Sequence, residues 1–116
     1  MRFDEHFEIK HLSVSLNDPT GANVILAGES GYTYLVTSYL LSFNMASASF
    51  YWYTLNADDE EQVLSGYVWP SPSIWADHSP CGHFQTTSGK QLALYQMSGD
   101  ASTVSGYVNY IKMPVA

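Results

Sequence analysis

The side chains best suited to chemistry lie close together in residues 77–83, which contain two imidazoles and one thiol. His78, Cys81 and His83 could donate nitrogen and sulfur ligands to zinc. Structural zinc sites usually use two separated ligand pairs, and this sequence has no second pair. The pattern therefore favours a surface loop shaped by Pro80 and Gly82, with no metal and no cofactor.

Two other groups of residues could act on a substrate or an ion. Cys81 and His83 are a nucleophile and a base in type, but residues two positions apart cannot set the geometry of a triad alone. The carboxylates of residues 58–61 could bind calcium, yet they lack the alternating ligand spacing and the central glycine of calcium loops. We expect an exposed turn there, no catalytic residues, and a protein that is not an enzyme.

The composition excludes several classes of protein. The chain has 116 residues, which fits one domain, and 46% of them are apolar, which favours a folded core over disorder. Eleven acidic residues outnumber four basic ones, and the net charge of −7 disfavours a nucleic-acid partner. The single cysteine cannot form an intramolecular disulfide, and the sequence shows neither a secretory signal nor a membrane-spanning stretch. We expect a soluble protein made in a reducing compartment, with no membrane partner.

Short β-type segments separated by turn residues run along the chain, without the 3.6-residue periodicity of helices. Within residues 32–43, we expect the odd-numbered side chains from Leu35 to Phe43 to share the inward face. Prolines predict a loop over residues 70–80, and residues 98–102 predict a hairpin connection. The expected strands are 12–16, 32–43, 50–55, 63–69, 91–97 and 104–113.

This spacing predicts an all-β, single-domain antiparallel β-sandwich with jelly-roll-like topology and about seven to eight strands. Gly106, inside a predicted strand, indicates a bulge or a close approach between two backbones. Residues 32–41 and 50–55 are apolar or aromatic on both faces of their strands. Because only one face can fill the sandwich, we expect a homo-oligomer whose subunit contact uses the outer tyrosines and tryptophans.

A pattern of turns and strands occupies three C-terminal segments, residues 69–74, 79–94 and 103–110. Its positions are Pro80, Gly82, Phe84 and Thr86, then Gly89, Leu92 and Leu94, then Gly106, Val108 and Tyr110. The pattern resembles a family of small β-sandwich proteins from tailed bacteriophages. The resemblance implies a trimeric, jelly-roll-like capsid decoration (cement) protein that binds the outer surface of a phage head and stabilises capsomer contacts. Residues 1–31 have no counterpart in that family and would form an N-terminal arm or first strands, beside a sandwich core of residues 32–116.

The resemblance also implies partners and a location. The partners are the major capsid protein of the same particle and further copies of this chain in a homotrimer. The location is the capsid exterior of a virion, after synthesis in the host cytoplasm. We expect the irregular segments 1–10 and 70–83 to contact the shell, together with the aromatic faces. The candidate contact residues are Phe3, Phe7, Tyr51, Tyr53, Trp69, Ile74 and Trp75.

Two other functions fit the same sequence. A carbohydrate- or receptor-binding module of a phage tail would stack its ligand on tryptophans. A small cupin-like metal-binding protein would use histidines, although the sequence contains no His-x-His pair. The residues concerned are Trp52, Trp69 and Trp75 for the first function, and His6, His11, His78 and His83 for the second.

Overall fold

The computed structural model describes residues 8–17, 21–43, 50–65, 74–78, 84–96 and 103–115. These residues form nine β-strands and no helix, so they include no helix that could cross a membrane. Two strands are short, with three residues in β5 and two in β7, and the other seven are longer. The strands are β1 (Ile9–Leu16), β2 (Gly21–Leu26), β3 (Tyr32–Phe43), β4 (Phe50–Leu55), β5 (Glu61–Val63), β6 (Ile74–His78), β7 (Phe84–Gln85), β8 (Leu92–Gln96) and β9 (Val104–Pro114).

The strands pair into two antiparallel sheets. Sheet one has the order β1-β9-β3, and both β6 and β7 pair with the other side of β3. Sheet two has the order β2-β8-β4-β5. The chain crosses repeatedly between them, since β1 and β3 lie in sheet one while β2 and β4 lie in sheet two. This arrangement confirms the predicted all-β, antiparallel, jelly-roll-like sandwich.

The core lies between the two sheets and follows from the two-residue alternation of side chains along each strand. Sheet one supplies Val14, Leu41 and Val108, and sheet two supplies Trp52 and Leu94. None of these five side chains is more than 4% exposed. Burial of each one stabilises the fold by about 1.5–3 kcal/mol.

A β-bulge in β3 changes which of its residues face the core. The register between β3 and β9 shifts between Val36 and Ser38, so Thr37 is an extra residue on β3. Leu35 and Thr37 are buried, as predicted inward residues would be, but Val36 rather than either of them packs in the core cluster between the sheets. The predicted inward face is confirmed from residue 39 onward. The Thr37 hydroxyl donates a hydrogen bond to the carbonyl oxygen of Asn109 at 3.2 Å.

The strand expected at residues 63–69 falls largely on residues 66–69, which lie outside the described ranges. Of its described residues only Val63 is in a strand, as the last residue of β5, which begins at Glu61. β5 follows a tight turn closed by Asn56, whose Oδ1 accepts hydrogen bonds from the backbone amides of Asp58 (2.9 Å) and Glu60 (3.0 Å). The turn brings the chain back against β4 two residues before the predicted strand begins.

Two predicted connections are wrong. β6 lies inside the segment 70–80 that was expected to be a loop, because its five residues contain no proline and pair with β3 at the sheet edge. The expected hairpin through residues 98–102 does not join paired strands, since β8 lies in sheet two and β9 in sheet one. β2 and β7 were not predicted, and within residues 1–31 both β1 and β2 are sheet strands.

Gly106 lies where β9 passes close to β3. Its φ angle is +151°, a backbone conformation that side-chain-bearing residues rarely adopt. A Cβ atom there would lie 1.9 Å from the carbonyl oxygen of Leu40 and 2.9 Å from its carbonyl carbon. The predicted close approach between two backbones is confirmed.

Candidate functional site

The outer face of sheet one carries a group of serines. Val14, Gly106 and Leu41 form one row across β1, β9 and β3 that faces the core, so the rows on either side of it face outward. Four serines of these two rows are exposed: Ser13 and Ser15 on β1, Ser42 on β3 and Ser105 on β9. A fifth, Ser38 on β3, lies opposite Asn109 in the next outward row and is half-buried.

Five further side chains complete this surface, which we call the serine face. Tyr107 and Leu40 lie opposite each other at its centre, and Ala76 of β6 follows Leu40 in the same row. His11 and Asn109 lie opposite each other two residues further along their strands. The ten side chains of the serine face include no Asp, Glu, Lys or Arg, and eight of them are polar.

A hydrogen-bond network holds one end of the serine face in place. His11 Nδ1 lies 2.7 Å from Asn109 Oδ1 and donates to it, because an amide oxygen only accepts. Asn109 Nδ2 in turn donates to Ser38 Oγ at 2.9 Å. The His11 ring also lies against the Tyr107 ring, with centroids 5.2 Å apart. These contacts restrict the rotamers of four neighbouring side chains before any partner binds.

Most of the charged side chains that the structure describes lie away from the serine face, although Glu8 and Lys10 lie just before His11 at the start of β1. The carboxylates of residues 58–61 occupy the β4–β5 turn and the start of β5, in sheet two. Lys90 pairs with Asp59 at 2.5 Å, and Lys112 pairs with Glu29, which precedes β3. In contacts between proteins, tyrosine is enriched, whereas serine and alanine are depleted along with Lys, Glu and Asp. The serine face therefore matches such contacts in Tyr107 and in its lack of acidic and lysine side chains, but not in its five serines.

The outer face of sheet two carries a tyrosine cluster, formed by Tyr51 and Tyr53 of β4 and Tyr95 of β8. The rings of Tyr51 and Tyr95 stack with centroids 5.3 Å apart, and Tyr53 meets Tyr95 edge-on at 6.1 Å. The Tyr51 hydroxyl donates to the Glu61 carboxylate. Burial, the Glu61 carboxylate and Tyr95 together raise the pKa of Tyr53. Tyr51 and Tyr53 are only 6% and 5% exposed, so they leave little surface for a partner.

The remaining predicted contact residues divide into two groups. Ile74 and Trp75 lie on β6, where the backbone pairing places them opposite Ser42 and Leu41. Their role as contacts, like that of the two tyrosines of β4, stays a prediction. The other three residues lie outside the described ranges: Phe3, Phe7 and Trp69.

The structure does not assemble a metal site from the residues it describes. His78 is the last residue of β6, opposite Ser38, and His11 is the exposed end of the network on β1. Within the described ranges, no three His, Cys, Asp or Glu residues are grouped so that they could hold a metal ion. The other residues proposed as ligands fall outside those ranges: His6, Cys81 and His83.

Trp52 lies in the core and is 0% exposed. Its ring meets Tyr39 edge-on, with centroids 5.5 Å apart, between the two sheets. It therefore cannot stack on a carbohydrate or a receptor. The carbohydrate-binding alternative depends on Trp69, outside the described residues, and on Trp75.

Hydrogen bonds connect β3 with the segments that follow β2 and β7 at one end of the sandwich. Thr86 Oγ1 accepts from the backbone amide of Tyr34 at 2.9 Å, and the Tyr34 hydroxyl donates to the carbonyl oxygen of Ala27 at 2.6 Å. Burial raises the pKa of Tyr34, opposed by the nearby Lys112 ammonium. The hydrogen bond with Glu29 raises the pKa of Lys112. These contacts fix the segment after β2 and the segment after β7 against β3.

Two alternations in the sequence signal this outward polar face. Ser13 and Ser15 alternate with apolar residues on β1, and an inward face made of odd-numbered residues on β3 leaves Ser38, Leu40 and Ser42 outward. The grouping of three strands into one surface required the pairing of β1 and β3 with β9.

The similarity of this chain to known proteins is one of structure and not of sequence. No known protein family matches the chain, and no curated protein matches it in sequence. Among solved structures, the chain is similar to the Eiger TNF structure from S. frugiperda, with 13% sequence identity and a TM-score of 0.47. The similarity covers 95% of this chain and 94% of that chain.

Proposed function

We propose that this protein is a structural subunit of a bacteriophage virion, a capsid decoration or cement protein. In this proposal it acts without catalysis, as a homotrimer on the outside of the head. It binds the major capsid protein and stabilises the contacts between neighbouring capsomers. It reaches the capsid from the host cytoplasm, where it is made.

The C-terminal resemblance supports the proposal through the fold. Phe84 packs against the core, and the hydroxyl of Thr86 is buried in the loop contacts beside β3. Gly89 forms a turn at φ +77°, and Leu92 and Leu94 fill the core from β8. The matching positions named here, all within the described residues, thus help to build the sandwich.

The observation that carries the proposal is the serine face. It is a broad, largely exposed surface on a sheet, which suits contact with another folded protein better than capture of a small molecule in a concave pocket. A cement subunit needs such surfaces, because many weak contacts between copies and shell add up through multivalency. Short side chains such as serine also lose little conformational entropy when a contact forms.

Binding to heads tests the proposal directly. The heads would come from the particle whose genome carries this chain, prepared with that gene deleted and then mixed with the purified protein. We expect saturable co-sedimentation with the heads and a higher temperature of head disruption. Protein that stays in the supernatant at every concentration, with heads of unchanged heat resistance, would overturn the proposal.

The predicted N-terminal contacts can be tested in the same assay. A variant carrying both Phe3→Ala and Phe7→Ala alters residues ahead of β1. We expect it to occupy fewer head sites at a given concentration, with an unchanged thermal unfolding midpoint. Equal occupancy would remove the two phenylalanines from the contact surface without affecting the rest of the proposal.

A further inference from the structure

We propose that the open edge of β1 binds one extended segment of the major capsid protein, which adds to sheet one as a further strand. The inference deepens the proposed function and in that respect rests on it, because it assigns the edge through which the subunit binds the shell. Three features of β1 support it: the direction of its backbone groups, the apolar side chains beside them and the charge of Lys10.

The backbone groups of alternate β1 residues point away from β9. The carbonyl oxygen of Asn109 accepts a hydrogen bond from the Thr37 hydroxyl of β3 at 3.2 Å, so the backbone of Asn109 faces β3. In an antiparallel sheet the N–H and C=O of one residue face the same neighbouring strand, and successive residues face opposite neighbours. His11 lies opposite Asn109, so its own N–H and C=O face away from β9. The same holds for Ser13 and Ser15, because the register between β1 and β9 is unbroken.

The edge of β1 lacks the features that usually protect a sheet edge. Among the described residues, β1 is the outermost strand on its side of sheet one. Natural sheets protect such edges with prolines, bulges, charged side chains or very short strands. β2 has a register shift, β5 and β7 contain three and two residues, and β6 contains Asp77. Residues 11–16 have no proline, no Asp, Glu, Lys or Arg, and no register shift, so this part of β1 can pair with a further strand.

Apolar side chains lie beside this edge. Leu12 and Leu16 pack against the core but are only half-buried, and Val14 between them is 4% exposed. All three lie on the inward face of β1, because they are two residues apart. A strand added beside β1 would place every second side chain next to them and bury more of Leu12 and Leu16. The segment that binds therefore needs apolar residues at alternate positions.

Lys10 indicates the charge of the segment. The other two lysines of the chain, Lys90 and Lys112, each pair with a carboxylate. Lys10 is exposed, and no carboxylate of the described residues pairs with it, not even that of Glu8. It lies on the same side of β1 as Leu12, at the start of the strand. An acidic residue at one end of the added strand would pair with its ammonium group.

A second copy of the chain fits this edge less well than a segment of the shell protein. β1 paired with β1 of another copy would form an antiparallel two-fold dimer, whereas the proposed assembly is a homotrimer. Each copy has a net charge of −7, so two folded copies placed edge to edge repel each other. A single extended segment meets neither obstacle, and its backbone can pair with the three N–H and three C=O groups of His11, Ser13 and Ser15.

Hydrogen exchange on the wild-type protein tests the edge directly. Mass spectrometry would follow peptides covering residues 9–16 and 21–26, both in the free protein and in protein bound to heads that lack it. In the free protein we expect fast exchange at the amides of His11, Ser13 and Ser15, and slow exchange at those of Leu12 and Val14, which face β9. On heads the three fast amides should exchange about a hundredfold more slowly or less, because each second residue of β1 then pairs with the added strand. The peptide of β2, the edge strand of sheet two, should not change.

Two substitutions at Ser13 separate the backbone group from the side chain. Ser13→Pro removes the N–H that points off the edge, a position at which edge strands tolerate proline. Ser13→Thr keeps both the N–H and a hydroxyl. We expect Ser13→Pro to raise the dissociation constant for heads by about tenfold or more, because a hydrogen bond is lost and the ring holds the added strand away. Ser13→Thr should bind like the wild-type protein, and both variants should keep thermal midpoints close to its value. Ser15→Pro replaces Ser13→Pro if that variant fails to fold.

Several outcomes would overturn the inference, and each has its own meaning. Saturable head binding in which the three amides stay unprotected, or in which Ser13→Pro binds like Ser13→Thr, would leave the proposed function intact and place the shell contact elsewhere. Slow exchange of the three amides in dilute free protein would show that the chain itself covers the edge. Protection that appears without heads as the protein concentration rises would identify a second copy as the occupant. A complete lack of head binding would overturn the proposed function as well.

Discussion

Replacing Gly106 with alanine tests the close approach of β9 to β3, on which the geometry of sheet one depends. The new Cβ would lie 1.9 Å from the Leu40 carbonyl oxygen and 3.1 Å from the Leu41 Cα, and all of these atoms belong to backbone. No side-chain rotation can relieve the overlap. The two strands would have to separate locally by roughly 1.5 Å to reach an ordinary contact distance.

The loss of stability in Gly106→Ala has two parts, and the same substitution at Gly31 allows them to be measured separately. Holding a residue with a Cβ at φ +151° costs about 1–3 kcal/mol, and the overlap adds about 1–3 kcal/mol in the manner of an overpacked core. Gly31 has φ +87°, but a Cβ there would meet nothing within 4 Å. We therefore expect Gly31→Ala to lose about 1–2 kcal/mol, from the backbone alone. Gly106→Ala should lose the sum of the two parts, about 2–6 kcal/mol.

The assay is urea unfolding followed by tryptophan fluorescence and circular dichroism, with thermal midpoints measured in parallel. For a chain of this length, a loss of 3 kcal/mol corresponds to a fall of about 12 °C in Tm. We expect the urea and thermal midpoints of Gly106→Ala to lie well below those of Gly31→Ala. Alternatively, Gly106→Ala does not fold at all, while Gly31→Ala does. Equal midpoints for the two variants would refute the reasoning, because the overlap with Leu40 would then have no energetic consequence.

Three further predictions concern the turns and the tyrosines. Thr86→Val leaves the buried backbone amide of Tyr34 without its acceptor and should lower the free energy of unfolding by about 1–3 kcal/mol, and an unchanged urea midpoint would contradict the bond. Asn56→Ala removes the acceptor of two backbone amides in an exposed turn and should cost about 1 kcal/mol, whereas a larger loss would show that the turn does more than close the hairpin. Burial raises the pKa values of Tyr34 and Tyr53 in the folded chain, so their contribution to stability is present below about pH 10 and is lost as the pH rises further. When the pH is raised from about 8 to about 11, the urea midpoint of the wild-type protein should fall, and it should fall less in Tyr53→Phe. A wild-type midpoint that stays constant over this range would contradict the prediction.

The strands that were predicted with correct bounds are those whose limits are set locally. β3 and β4 are runs of aromatic and β-branched residues, and β4 is followed directly by the Asn56 turn. The pairing of strands is not local. β8 and β9 read as a hairpin because they follow each other, yet each buries its apolar side chains only by joining a different sheet. Neither the length nor the composition of the connection distinguishes the two arrangements.

The outward rows of β1 and β3 in the candidate site follow from the predicted alternation, but the bulge at Thr37 and the pairing of both strands with β9 do not. The period of side chains along a strand is two, so a bulge reverses which face each later residue occupies. Before Thr37, the core residue of β3 is Val36, and after it the core residues are Tyr39 and Leu41. No glycine or proline marks the position in the sequence.

The bulge determines which residues of β3 face the core and which face outward. If β3 continued without it from Val36, the alternation would turn Ser38 and Leu40 toward the core and leave Tyr39 and Leu41 outside. The extra residue at Thr37 brings the aromatic and aliphatic side chains inward and the small polar side chain of Ser38 outward. It also supplies the hydroxyl that binds the carbonyl of Asn109, the residue whose side chain orders the end of the serine face. The packing of the core and the uncharged outer surface thus have a common origin in one irregular position of the central strand.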